Sequence, residues 1–106
     1  MFIPLAGILF LAYNLSATNV PAGQAKFQQL CATCHGGAGK GDGPAAAALN
    51  PKPKDLSKTT KNDAQLKEVI TKGGTANGLS PVMPAWGTML SEEDVANIIG
   101  YIRTLK

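Results

Sequence analysis

Cys31-Ala32-Thr33-Cys34-His35 is the stretch on which the reading of this chain turns. On a helix, positions i, i+3 and i+4 project from one face, so this spacing points two thiols and an imidazole the same way. Both cysteines of the chain and its single histidine are used up in these five residues. A zinc site needs four ligands and these three have no fourth His or Cys to complete them. A Cys31–Cys34 disulfide would close a loop too short to add much stability. A thioredoxin-like redox pair belongs in a βαβ context, and no segment here alternates convincingly as a strand.

The remaining reading is covalent attachment of a c-type haem, for which C-x-x-C-H is the signature. Cys31 and Cys34 would take the two vinyl groups of one porphyrin while His35 reaches the iron from below. A sixth ligand has to come from elsewhere, and methionine is the natural supplier. Of Met1, Met83 and Met89, only Met83 is held between two prolines, in Ser80-Pro81-Val82-Met83-Pro84-Ala85-Trp86. Prolines fix φ and keep such a segment extended and stiff, so a thioether can be presented without regular structure. Met83 is therefore the expected axial ligand. Met89 is expected to be a flexible filler against the haem or Trp86.

Working outward, three helices are expected. The first runs from about Pro21 to His35 with Phe27, Leu30 and Cys31 along one face. The second covers about Asp63 to Lys72. It is capped by Asn62 or Asp63, carries a Leu66, Val69 and Ile70 stripe, and is stopped by Gly73-Gly74. The third follows a Ser91/Asp94 capping box, with Val95, Ile98, Ile99, Ile102 and Leu105 at helical spacing and Arg103 and Lys106 in the last turn. The expected fold is all-α, three main helices and long loops around one covalent haem.

The 106 residues make one small domain, and 12 Gly and 7 Pro against 6% aromatics leave little apolar material for a core. A haem supplies that missing bulk. Ahead of the domain, Met1 to Ala25 carry no charged side chain and Phe2 to Tyr13 is almost wholly apolar. This run is short for a bilayer, which takes about 20 residues. Residues 1–17 are read as a signal peptide or N-terminal membrane anchor and 18–106 as the haem domain, on the periplasmic or extracytoplasmic side.

The glycine-rich stretch Gly36 to Gly43 is no phosphate loop, since Lys40 is followed by Gly41 rather than Ser or Thr and no strand precedes it. Its glycines are expected to let the backbone turn sharply along the porphyrin edge. Residues 40–61 carry Lys40, Lys52, Lys54, Lys58 and Lys61 against Asp42 and Asp55, a surplus equal to the formal +3 of the whole chain. That surplus suits an acidic protein surface near the haem edge better than nucleic acid, which needs a concentrated basic stripe.

From Gly23 to Lys106 the chain resembles a bacterial class I cytochrome c. The resemblance rests on Gly23 and Phe27 ahead of Cys31-x-x-Cys34-His35, on Gly41-Asp42-Gly43-Pro44, on Met83-Pro84-Ala85-Trp86 and on a last helix carrying Tyr101. It implies that the first and last helices cross at Gly23, Phe27, Gly100 and Tyr101. It also implies that Pro44 and Trp86 belong to the haem pocket, with a carbonyl beside Pro44 accepting the hydrogen bond of the His35 ring. The function so implied is outer-sphere electron transfer by an iron with both axial positions filled, with no catalysis and no small-molecule substrate. His/Met ligation raises the potential, so a carrier late in a respiratory or photosynthetic chain is expected, serving redox proteins. The alternative is a membrane-anchored subunit that relays electrons inside a larger oxidoreductase complex.

Overall fold

The structure is a computed structural model that describes residues 18–106; the expectations for residues 1–17 lie outside the described residues. Four α-helices follow one another: α1 (Val20–Leu30), α2 (Ala32–His35), α3 (Asp63–Lys72) and α4 (Glu92–Ile102). Three 3-10 turns, Ala46–Ala48, Leu56–Lys58 and Thr75–Asn77, punctuate the connections, and there is no strand among the described residues. The all-α expectation holds. No helix among the described residues is long and apolar enough to cross a membrane.

Local chemistry places the helix starts. The Asn19 side chain accepts the Ala22 N–H at 3.0 Å, and Pro21 sits in the first turn, where its missing N–H costs nothing. α3 opens with a reciprocal box between Asn62 and Gln65, and α4 with one between Ser91 and Asp94. Three acidic residues, Glu92, Glu93 and Asp94, occupy the first turn of α4, where the helix dipole favours them. Replacing Ser91 with Ala removes one half of that box. The expected loss is about 1 kcal/mol, seen as a fall in Tm of about 4–8 °C in a thermal melt.

Two boundaries differ from expectation. The first helix bends at Cys31, whose N–H still bonds the Phe27 carbonyl while its φ opens to −107°. The Cys31 carbonyl then accepts both the Cys34 and His35 N–H groups, so the five-residue motif sits on a tightened turn of its own. At the other end α4 stops at Ile102. Thr104 bonds the Tyr101 carbonyl through both its N–H and its hydroxyl, which closes the helix before Leu105 and Lys106.

The core forms where α1 crosses α4, with α3 packed on the other side of α4. Phe27, Val95 and Ile98 are fully buried, joined by Leu66, Ile70, Leu90, Ile99, Tyr101 and Ile102. The Phe27 and Tyr101 rings meet at 5.1 Å between centroids with planes tilted by 59°, an edge-to-face type of contact. The Tyr101 hydroxyl donates to the Gly37 carbonyl at 3.1 Å, tying the last helix to the loop after the motif. Gly23 makes the crossing close: a Cβ there would lie 1.9 Å from the Asn97 carbonyl oxygen.

Candidate functional site

The motif lies at the seam between this core and the loops. Cys31 and Cys34 are free thiols, each half-buried, and Cys31 and Ala32 pack against the core cluster. Burial, and after it the neighbouring Cys34, push the Cys31 thiol up to about 11, so it stays protonated at neutral pH. Among the described residues no group of three or more His, Cys, Asp or Glu is arranged to hold a bare metal ion.

Loop residues 36–56 fold back over His35. Gly36, Gly39 and Gly41 all have positive φ, as the sharp turning of this stretch requires. The Gly41 N–H bonds the His35 carbonyl at 2.7 Å, Gly43 N–H the Cys34 carbonyl at 3.0 Å, and Ala45 N–H the Thr33 carbonyl at 2.9 Å. The 51–56 segment then runs alongside, pinned where Leu56 N–H meets the Gly39 carbonyl at 2.6 Å. It is closed by a turn in which the Asp55 carboxylate accepts from the Ser57 N–H and hydroxyl. Those Ser57 bonds hold the Asp55 carboxyl below its ordinary value, so the turn loses this support only as pH falls through that lowered range.

The bond that matters most comes from this segment. His35 Nδ1 lies 2.9 Å from the Lys54 carbonyl oxygen. A carbonyl only accepts, so Nδ1 carries the proton, and in the neutral ring Nε2 is left with its lone pair. Burial lowers the His35 pKa, outweighing the opposite pull of the Lys54 hydrogen bond, and this favours the neutral ring. The expected carbonyl beside Pro44 is thereby corrected to that of Lys54. The reason is visible in the loop. The Gly43 and Ala45 N–H groups anchor this part of the loop to the Cys34 and Thr33 carbonyls with Pro44 exposed between them, and it is the Lys54 carbonyl that reaches His35 Nδ1.

The Met83 segment is built on the end of α3. Gly73, at φ +84°, ends the helix, and the Gly74 N–H bonds the Met83 carbonyl at 3.0 Å. Further on, Trp86 N–H bonds the Ile70 carbonyl at 2.9 Å and Gly87 N–H the Thr71 carbonyl at 3.0 Å. The Ile70 and Thr71 carbonyls, which no helical N–H satisfies, thus fasten the far side of the Met83-Pro84-Ala85 stretch, and the Gly74 N–H fastens its near side. Met83 and Trp86 are half-buried, and Trp86 packs on the same core cluster as Cys31. Met89 does not fill the core. It is 69% exposed, because the Trp86–Leu90 turn sends Leu90 inward and leaves Met89 on the outside. The groove of about 350 Å³ between α3 and α4, floored by Val95 and Ile99, touches none of Cys31, Cys34, His35 or Met83.

Lys54 stands out in the sequence as a charge, not as the carbonyl that holds His35. The alternation Pro51-Lys52-Pro53-Lys54 is the available signal, since prolines donate nothing and leave an extended segment whose carbonyls are free to accept.

An all-helical frame that carries a tethered histidine and two free thiols on one helical turn defines the class I cytochromes c, electron-carrying proteins whose cofactor is haem c. Residues 18–102 match the family described as cytochrome c oxidase, cbb3-type, subunit III, and the chain belongs to that family. It is 33% identical to cytochrome c-554(547) of Halothiobacillus neapolitanus over 94 residues, which cover 85% of this chain and 100% of that protein. Among solved structures it is similar to a chain of the Kuenenia stuttgartiensis reducing HAO-like protein complex. There the TM-score is 0.69 at 22% identity, over 83% of this chain and 42% of that one, a likeness of fold.

The residues present fit the group the family implies. Two thiols without a disulfide share the short turn that ends in His35, and that imidazole is held in the tautomer whose Nε2 can donate to iron.

Proposed function

We propose that the chain is a one-electron carrier of fairly high potential whose single haem is bound covalently by Cys31 and Cys34, with iron between His35 and Met83. The haem supplies a one-electron ferric/ferrous couple when bound. The polypeptide does the rest. Cys31 and the short helix α2 that follows it present the thiols and the ring together, and the Lys54 carbonyl fixes the orientation and proton of that ring. The end of α3 holds the Met83 segment in one place, so both ligands keep their geometry in either oxidation state. Small reorganisation is what an outer-sphere carrier needs. A soft, neutral thioether favours the reduced iron, which raises the potential. Pro44 and Trp86 are proposed to line the haem pocket, Trp86 from its place on the core and Pro44 from the rim of the loop. The single observation that carries the reading is the His35 Nδ1–Lys54 carbonyl bond, which prepares Nε2 as a metal ligand.

Partner recognition is assigned to the lysines. Lys40, Lys52, Lys54 and Lys58 are exposed, and Lys52 and Lys54 belong to the loop segment that lies against His35. An acidic partner docking there would approach the haem at close range through a small, transient interface. Changing Lys52 and Lys54 to Glu should slow the bimolecular electron-transfer rate to such a partner about tenfold or more at low salt. The gap should close near 1 M salt, where screening shortens to about 3 Å. An unchanged rate at low ionic strength would return the lysines to a merely solvated face.

A second reading is favoured by the family's description as an oxidase subunit and by the complex to which the similar solved chain belongs. In that reading the chain is a fixed relay in a larger extracytoplasmic membrane oxidoreductase, held by residues 1–17. Fractionation of the native protein separates the two. A carrier appears in the soluble extract alone, and a relay appears in membranes with its complex.

A further inference from the structure

We infer that Gly41 is a positioning residue for the redox centre: its missing side chain lets the Pro53–Lys54 backbone approach His35, and this contact sets how strongly His35 donates to iron. The inference rests on the assignment of His35 as a ligand and goes beyond it.

Gly41 touches the ligand from two directions. Its N–H bonds the His35 carbonyl at 2.7 Å, fixing the main chain of the ligand. Its α-carbon faces the loop segment that holds the ring of the same ligand. A Cβ at residue 41 would lie 2.5 Å from the Pro53 carbonyl oxygen, 3.3 Å from the Lys54 carbonyl oxygen and 3.4 Å from the Lys54 carbonyl carbon. The Lys54 oxygen is the atom that accepts from His35 Nδ1 at 2.9 Å. All the threatened atoms are backbone, and Pro53 stiffens the segment, so a side chain here cannot be absorbed by a rotamer change. Gly41 also has φ +83°, which disfavours any L side chain.

The consequence is electronic as well as steric. A hydrogen bond from Nδ1 gives the imidazole anionic character and makes Nε2 a stronger donor, which favours the ferric state. Pushing the Lys54 carbonyl away weakens that bond. The potential must then rise.

Gly78 is the internal control. It ends the Thr75–Asn77 turn with φ +70°, and a Cβ there meets nothing within 4 Å. Gly78→Ala carries the same left-handed backbone strain without touching the 51–56 segment or the Lys54 carbonyl. The test is the midpoint potential of full-length holoprotein for the wild type, Gly41→Ala and Gly78→Ala, with the ferric sulfur–iron charge-transfer band recorded for each. Gly41→Ala should shift the ferrous-to-ferric ratio about tenfold toward ferrous, a rise of about 59 mV for one electron, and Gly78→Ala should leave it unchanged. An unchanged potential in Gly41→Ala, or an equal rise in both variants, overturns the inference. Retention of the band keeps the ligand assignment standing in that event, whereas its loss from the wild type itself would place the failure with the ligand assignment. If Gly41→Ala does not load haem, Pro53→Gly loosens the same segment without adding an atom, and an unchanged potential there is equally contrary.

Discussion

Replacing Met83 with Ala is expected to leave the haem on the polypeptide and drop its midpoint potential. The thioether links to Cys31 and Cys34 do not depend on the sixth ligand, so the protein stays coloured. Water then takes the open position, and an oxygen ligand favours ferric iron more than a thioether does. The fall should be on the order of 0.1–0.3 V, a fraction of the roughly 0.8 V that axial ligands span. The charge-transfer band near the red end of the ferric spectrum, which reports sulfur–iron bonding, should vanish, and added imidazole or carbon monoxide should bind. Met89→Ala supplies the contrast. Its side chain is 69% exposed, so the variant should keep the band and the potential and lose no more than about 0.5 kcal/mol of stability. If Met89→Ala loses the band while Met83→Ala keeps it, the assignments are exchanged.

The second large effect concerns the frame. Gly23→Ala should cost the domain more than about 3 kcal/mol, beyond the usual range for overpacking. Helix propensity alone would favour Ala by roughly 1 kcal/mol. Against that gain stands a Cβ placed 1.9 Å from the Asn97 carbonyl oxygen and 2.9 Å from the Ile98 nitrogen, both backbone atoms of α4. Only separation of the two helices relieves the overlap. Separation also strains the bond from the Asn19 N–H to the buried Asn97 side chain, 2.9 Å long, and opens the Phe27–Tyr101 contact. Gly100→Ala is the milder neighbour, because its Cβ would meet the Thr18 side chain near the start of the described chain. Denaturant melts of the two variants should therefore differ clearly. Equal stability of Gly23→Ala and the wild type would mean that the crossing is looser than described.

Much of this was legible in the sequence because it is encoded locally. The Ser91/Asp94 box, the cap at Asn62, the Val95–Ile102 stripe and the Gly73 stop are short-range patterns, and each appears where its residues predict. The Cys31–His35 motif is equally local, five residues on one turn. What stayed hidden depends on loops meeting across sequence. His35 and Lys54 are 19 residues apart, and nothing in Pro44's position shows that its neighbours will be spent on the Cys34 and Thr33 carbonyls. Met83 could be singled out by its flanking prolines, but its fastening to Ile70, Thr71 and Gly74 is tertiary. Met89 was misplaced because hydrophobicity alone does not say which side of a four-residue turn faces the core.

The central claim is that Cys31 and Cys34 hold haem covalently, and denaturing electrophoresis of the matured full-length protein followed by haem staining tests it most directly. The account predicts colour migrating with the polypeptide, and its loss when both cysteines are changed to Ala. Colour running free at the dye front from the unaltered protein would contradict it.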